Sequence, residues 1–154
     1  MKTIHTEIEI NASPEKIWDI LTDFAAFPTW NPFVKHIDGK LVVGQRLRVA
    51  IQPQGSKGMR FAPTVLEATP NKELRWLGRL FLPGIFDGEH IFRIEALSAN
   101  RVRFIHEEQF QGLLVSLFAK SLDEGSGAGF VAMNQALKAR AEQPTASQAG
   151  RVAV

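Results

Sequence analysis

From Ile8 to Val34 the chain reads I-E-I-N-A-S-P-E-K-I-W-D-I-L-T-D-F-A-A-F-P-T-W-N-P-F-V, a strand, a capped helix and an aromatic loop that follow one another without a linker. Ile4, Thr6, Ile8 and Ile10 alternate with His5, Glu7 and Glu9, the period of two of a strand with one buried face. Ser13 is placed to cap the next helix, with Pro14 at its first position. Ile17, Ile20, Leu21 and Phe24 recur at helical spacing to form its inward stripe, which Trp18 widens. The prolines of Phe27-Pro28-Thr29-Trp30-Asn31-Pro32-Phe33 disfavour a long second helix and predict a short helical turn or loop.

Turn chemistry then divides residues 34–110 into six further strands, near 34–39, 45–52, 59–69, 73–82, 86–97 and 101–110. Short connections favour an antiparallel meander, and Pro63 belongs at an edge or bulge because it cannot donate to a ladder. After Gly112 the period becomes helical, with Leu114, Phe118, Leu122, Phe130, Met133 and Leu137 approximating one face. Gly125, Gly127 and Gly129 each cost about 1 kcal/mol relative to alanine inside a helix, so a kink or local break is expected there. The sum is an α+β chain: a seven-stranded curved antiparallel sheet wrapped around a long C-terminal helix, with two short helices after the first strand and a hollow between sheet and helix. Residues 1–143 form one domain and 144–154 a flexible tail with little to bury.

Composition removes several classes of function. The chain has 154 residues, a net charge of +2 and no cysteine, which excludes disulfides and thiolate chemistry and gives no indication of a polyanionic partner. Nucleic acid is therefore not expected, and cytoplasm is the default compartment. The apolar run Leu113–Ala119 is far shorter than the roughly 20 residues of a membrane span, and the N-terminus lacks a signal-peptide core. The histidines His5, His36, His90 and His106 show no metal-ligand spacing, and the glycine run Gly125–Gly129 follows no strand, so neither a metal nor a phosphate-binding loop is expected.

Parity along the last two strands isolates the candidate chemistry. Val102, Phe104 and Phe110 place His106 and Glu108 on an inward face, and Phe92, Ile94 and Ala96 do the same for His90. A three-residue loop Ser98-Ala99-Asn100 would pair Leu97 with Arg101, His90 with Glu108 and Phe92 with His106. Two imidazoles and a carboxylate near an apolar hollow can anchor a ligand hydroxyl or carbonyl, or move a proton, and His90, His106 and Glu108 are the catalytic candidates. The alternative is a mutually satisfied buried network with no catalytic role. Trp30, Phe33, Trp76, Gly78, Phe92, Phe104, Phe110, Phe130 and Met133 complete the expected cavity lining, Gly78 leaving space beside Trp76; the alternative for each aromatic is plain core packing. Arg75, Arg79, Arg93, Arg101 and Arg103 share outward parity with Glu73, Glu95 and Glu107, a mixed-sign solvated face.

Four segments carry a family resemblance: S-P-E-K-I-W-D-I-L-T-D-F-A-A-F-P-T-W-N-P-F-V, L-R-W-L-G-R-L-F-L-P-G-I-F-D-G-E-H-I-F-R-I-E-A-L, E-Q-F-Q-G-L-L and G-F-V-A-M-N-Q-A-L-K-A-R-A-E. Over residues 2 to about 142 the chain resembles the helix-grip fold of the birch-pollen-allergen and START superfamily, in particular its polyketide cyclase/dehydrase-like bacterial members. The resemblance implies an apolar cavity of the kind that holds lipids, sterols, polyketides or plant hormones, with catalysis only in some branches. The expectation is binding or transport of a hydrophobic or amphipathic small molecule, with no cofactor. The rivals are a cyclase or dehydratase using His90, His106 and Glu108, and a partner-protein module like the superfamily's chaperone-ATPase activators. The sequence leaves open whether the chain is an enzyme, and its oligomeric state.

Overall fold

The computed structural model describes residues 1–144, so the tail expected from 144 lies, from 145 on, outside the described residues. Strand β1 (Lys2–Ile10) leads into helix α1 (Pro14–Thr22), where the Ser13 side chain accepts the Lys16 N–H at 3.2 Å and Pro14 opens the first turn. Ile17 and Leu21 are buried, and Trp18, Ile20 and Phe24 pack against the core at its margin. The proline-rich segment forms a 3-10 turn at Phe24–Ala26 and a single-turn helix α2 (Phe27–Trp30). Beyond it the Asn31 side chain accepts the N–H groups of Phe33 and Val34, which turns the chain into the next strand.

The strands that follow are β2 (Val34–Asp38), β3 (Arg48–Ile51), β4 (Met59–Phe61), β5 (Thr64–Thr69), β6 (Glu73–Leu80), β7 (Phe86–Ser98) and β8 (Arg101–Gln111). They form two antiparallel sheets, five strands in the order β1-β8-β7-β6-β5 and three in the order β2-β3-β4, in place of the single seven-stranded sheet expected. The cause is Pro63. The expected strand 59–69 divides there into β4 and β5, because proline offers no N–H to continue the ladder. Its carbonyl instead accepts from Leu47 N–H at 2.9 Å, and the Gly44, Gln45 and Val65 backbones make the neighbouring bonds that seam the sheets together.

The β7–β8 hairpin carries a second correction. Ser98 pairs with Arg101 around a two-residue turn, and a bulge between Ala96 and Ser98 sets Leu97 aside, so Leu97 does not face Arg101. A two-residue turn plus one bulged residue preserves the same parity as a three-residue loop. Below it the ladder pairs His90 with Glu108 and Phe92 with His106. On the outward face Arg75 contacts Glu73 and Glu89, Arg93 contacts Glu73, and Arg103 contacts Glu95.

After β8, Gly112 adopts φ +125°, and a Cβ there would stand 2.4 Å from the Ile85 carbonyl oxygen, so this corner requires glycine. A continuous helix of 27 residues follows: α3 (Val115–Ser121), a π-helical turn over Leu122–Ser126, and α4 (Gly127–Ala141). The π turn is the form taken by the irregularity expected at the glycine run. Helix α4 lies along β1 and β8 and buries Phe130, Met133, Asn134 and Leu137. No helix among the described residues is long and apolar enough to cross a membrane.

Gly129 is where α4 meets the aromatic loop: a Cβ on it would fall 2.3 Å from the Phe33 ring, which itself packs edge-on against Phe130 at 5.4 Å. Gly129→Ala, although it improves helix propensity, is expected to lower stability by about 1 to 3 kcal/mol, since the Phe33 ring is buried and held edge-on against Phe130. Urea unfolding checks this, and a gain in stability would show that the helix can lift off Phe33.

Candidate functional site

Helix α4 lies along β1 and β8 at one side of the five-stranded sheet, and the polar residues beside it form one connected chain. Thr6 on β1 lies directly opposite His106 on β8 and donates its hydroxyl to the His106 carbonyl at 3.0 Å. Asn134 on α4 donates its amide to Thr6 Oγ1 at 2.9 Å, which leaves Asn134 Oδ1 to accept from His106 Nδ1–H at 2.9 Å. His106 Nε2 is then a lone pair, and it accepts from His90 Nε2–H at 2.7 Å. With its Nε2 proton committed, His90 turns Nδ1 toward Glu108 Oε2, 3.6 Å away. Each direction follows from the one before, and the chain of polar groups ends where His90 Nδ1 faces Glu108.

The surroundings hold both imidazoles rigidly. His106 is fully buried and stacks on Phe130 at 3.9 Å, and His90 stacks on Trp76 at 5.2 Å, with Phe92 tilted against both. Burial, and next the neighbouring His90, push the His106 pKa well below the usual imidazole range, while its bond to Asn134 opposes them weakly. That agrees with the lone pair required at Nε2.

Glu108 ends this chain and begins a cavity of about 300 Å³. Gly78 of β6 and Gly88 of β7, paired across the sheet, form its floor. Phe86, Phe110 and Leu80 wall it from the five-stranded sheet, Ile51, Met59 and Phe61 from the three-stranded one, and Phe118, Leu122 and Ser126 from the helix at its π turn. Of the residues expected to line a cavity, Gly78, Glu108 and Phe110 do so. Phe33, Trp76, His90, Phe92, Phe104, His106, Phe130 and Met133 are packed in the core behind it, and Trp30 lies at the core margin against Phe27 and off the cavity wall. Phe61, Phe86, Phe118, Leu122 and Ser126 were not anticipated; the π turn, which rotates Leu122 and Ser126 inward, was signalled by the glycine run alone. Thr6 and Asn134 were also missed, being 128 residues apart in the chain.

A curved sheet gripping a long helix, with a half-open cavity beside the helix's π turn and a polar chain leading to it, defines a helix-grip protein. Residues 1–142 match the family described as polyketide cyclase / dehydrase and lipid transport, and the chain belongs to that family. Among solved structures it is similar to the Zhui aromatase/cyclase from Streptomyces sp. R1128 (TM-score 0.75, 15% identity, 92% of this chain and 93% of that one). It is also similar to a START superfamily protein from Mycobacterium smegmatis (TM-score 0.69, 23% identity, 93% and 99%) and to a norcoclaurine synthase point mutant from Thalictrum flavum (TM-score 0.69, 15% identity, 91% and 93%). At these identities the likeness is one of fold. No curated protein matches the sequence.

The chain of hydrogen bonds predicts a pH dependence of stability. His106 stays neutral in the fold, whereas the unfolded chain protonates it at its ordinary value of about 6.5. Below that pH the unfolded state holds the extra proton, so His106 makes stability fall with acid by up to about 1.4 kcal/mol per pH unit. His5, raised chiefly by its bond to Glu107, acts in the opposite sense, contributing most below its unfolded value, but it is common to both proteins compared here. Urea titrations of the wild type and His106→Gln should differ in slope by a fraction of a proton at pH 7, rising toward one proton at pH 5, and equal slopes would show that His106 is not held neutral.

Proposed function

We propose that this protein binds and carries a hydrophobic or amphipathic small molecule in the chamber between the glycine floor and the π turn. The observation that supports this most directly is the cavity itself: about 300 Å³, walled almost wholly by apolar side chains, with one carboxylate at its inner end. A half-open space of this size, with aromatic walls, is suited to a ligand of naphthalene or small-lipid dimensions. Membership of a family described by lipid transport as well as cyclisation is consistent with carriage.

A second reading, proton-transfer catalysis on a carbonyl compound of the cyclase or dehydratase kind, is favoured by one observation. The Thr6–Asn134–His106–His90–Glu108 chain of polar groups ends in a carboxylate on the cavity wall, where a reacting group would meet it. Turnover that falls about 100-fold in His90→Gln, while affinity for a neutral probe falls less than tenfold, would assign the protein to this second class.

The carrier reading is tested at its floor. A Cβ on Gly78 would stand 3.2 Å from the Phe61 ring, a partly buried side chain that can yield, so Gly78→Val fills the cavity without breaking the strand. The neutral fluorophore N-phenyl-1-naphthylamine should bind the wild type, and Gly78→Val should weaken it at least tenfold, about 1.4 kcal/mol. Unchanged affinity in the variant, or no binding in the wild type, would remove the chamber from consideration.

A further inference from the structure

The half-open cavity ends in a rim that is apolar on its outer side, and the inference drawn from it rests on the carrier reading above. Two segments build the rim: the turn Phe81-Leu82-Pro83-Gly84 between β6 and β7, and residues 112–118, which run into α3. Leu113 N–H donates to the Gly84 carbonyl at 3.1 Å and Leu114 N–H to that of Ile85 at 3.0 Å, so the two segments are held side by side. Phe81 and Phe118 line the mouth. Phe81, Leu82, Leu113 and Leu117 are each between 72% and 80% exposed. One exposed leucine is ordinary, but four large apolar side chains on two segments bonded to each other make a patch. The turn also carries strain: Phe81 adopts φ +69°, a left-handed conformation that a bulky residue rarely enters, and its exposed ring recovers little by packing within the chain. An apolar surface outside the chain would supply that packing.

Two observations identify that surface. The mouth lies within the patch, and a carried molecule has to pass through it. A second copy of the chain seated there would close the mouth, whereas a bilayer covers the patch and can also supply or receive an apolar guest. The second observation is charge. Carboxylates near the mouth are matched: Asp87 accepts Gly84 N–H at 3.1 Å and faces Arg79 at 3.7 Å, Asp123 meets Lys2 at 2.7 Å, and Glu124 meets Lys120 at 3.9 Å. Lys57 and Arg60 stand either side of the lining residue Met59, on the three-stranded-sheet side of the mouth. Both are exposed and, among the described residues, neither has a carboxylate partner. Apolar side chains flanked by unmatched cations complement an anionic lipid surface.

We infer that the rim docks on an anionic lipid bilayer, with Phe81, Leu82, Leu113 and Leu117 entering the acyl boundary and Lys57 and Arg60 at the headgroups, so that the cavity loads and unloads at the membrane. Co-sedimentation with vesicles of phosphatidylcholine alone, and of phosphatidylcholine and phosphatidylglycerol in equal parts, tests this. The wild type should bind the mixed vesicles at least about tenfold more tightly than phosphatidylcholine alone. Leu82→Gln/Leu117→Gln, neither residue being on the cavity lining, should lose at least about tenfold on mixed vesicles while binding N-phenyl-1-naphthylamine, in the absence of lipid, as the wild type does. Lys57→Gln/Arg60→Gln should lose about tenfold on mixed vesicles and little on phosphatidylcholine. Phe81→Asn, which suits a left-handed turn, should fold at least as stably as the wild type and still bind vesicles less tightly. No vesicle binding by a wild type that takes up the naphthylamine, or equal affinity for the two vesicles, overturns the inference and leaves carriage standing. A wild type that sediments as a dimer without lipid, and that Leu82→Gln/Leu117→Gln makes monomeric, assigns the rim to a second copy and overturns it likewise. A wild type that takes up no naphthylamine removes carriage, and with it the loading step, whatever the vesicles show.

Discussion

The structure depends on the seating of α4 on β8 through two residues one helical turn apart. Phe130 lies flat against the His106 ring and Asn134 accepts its Nδ1 proton, so apolar contact and hydrogen bond fix the same imidazole from one helix face. Neither would suffice alone. A stacked ring could slide, and a lone buried hydrogen bond contributes only about 1 kcal/mol net, but together they set the helix's position along the strand as well as its distance from the sheet. Once α4 is fixed there, Gly129 must meet Phe33 on one side, and the π turn must stand away from the glycine floor on the other.

Alternation carried far in this sequence. Inward parity on the last two strands leads to the pairing of His90 with Glu108 and Phe92 with His106, because a one-residue slip would have buried Arg93 and Arg103. The serine cap and proline start of α1, and the irregularity near Gly125, were legible for a similar reason: each rests on a local backbone rule. Division of the sheet was half legible. Pro63 marks an interruption, but whether the chain bends within one sheet or starts a second depends on what Leu47 and Gln45 bring alongside it.

The position of the chamber was not legible, for a physical reason. Parity states which face of a strand a side chain occupies and nothing about which neighbours lie across from it. Trp76 and Phe104 share a face with Gly78 and Phe110, yet the first two are buried in the core and the second two line the cavity beside the π turn. The same limit hid Thr6 and Asn134, ordinary polar residues until a helix and a strand from opposite ends of the chain are brought together. The direct bond between the two imidazoles was hidden likewise, because the register sets His106 opposite Phe92 and only the ring orientations let it reach His90 diagonally.

The break at Pro63 has a mechanical consequence. Met59 and Phe61 belong to one sheet, Gly78, Gly88 and Glu108 to the other, and the two are joined along a short seam of backbone bonds from residues 44–47 to 63–65. Opposite walls of the chamber are therefore separate plates sharing an edge. In a continuous sheet, a change in the spacing of the walls would bend every strand; across a seam it falls on the few peptide units that join the plates. The edge the two plates share is thus only a few peptide units long, while each wall keeps its own ladder.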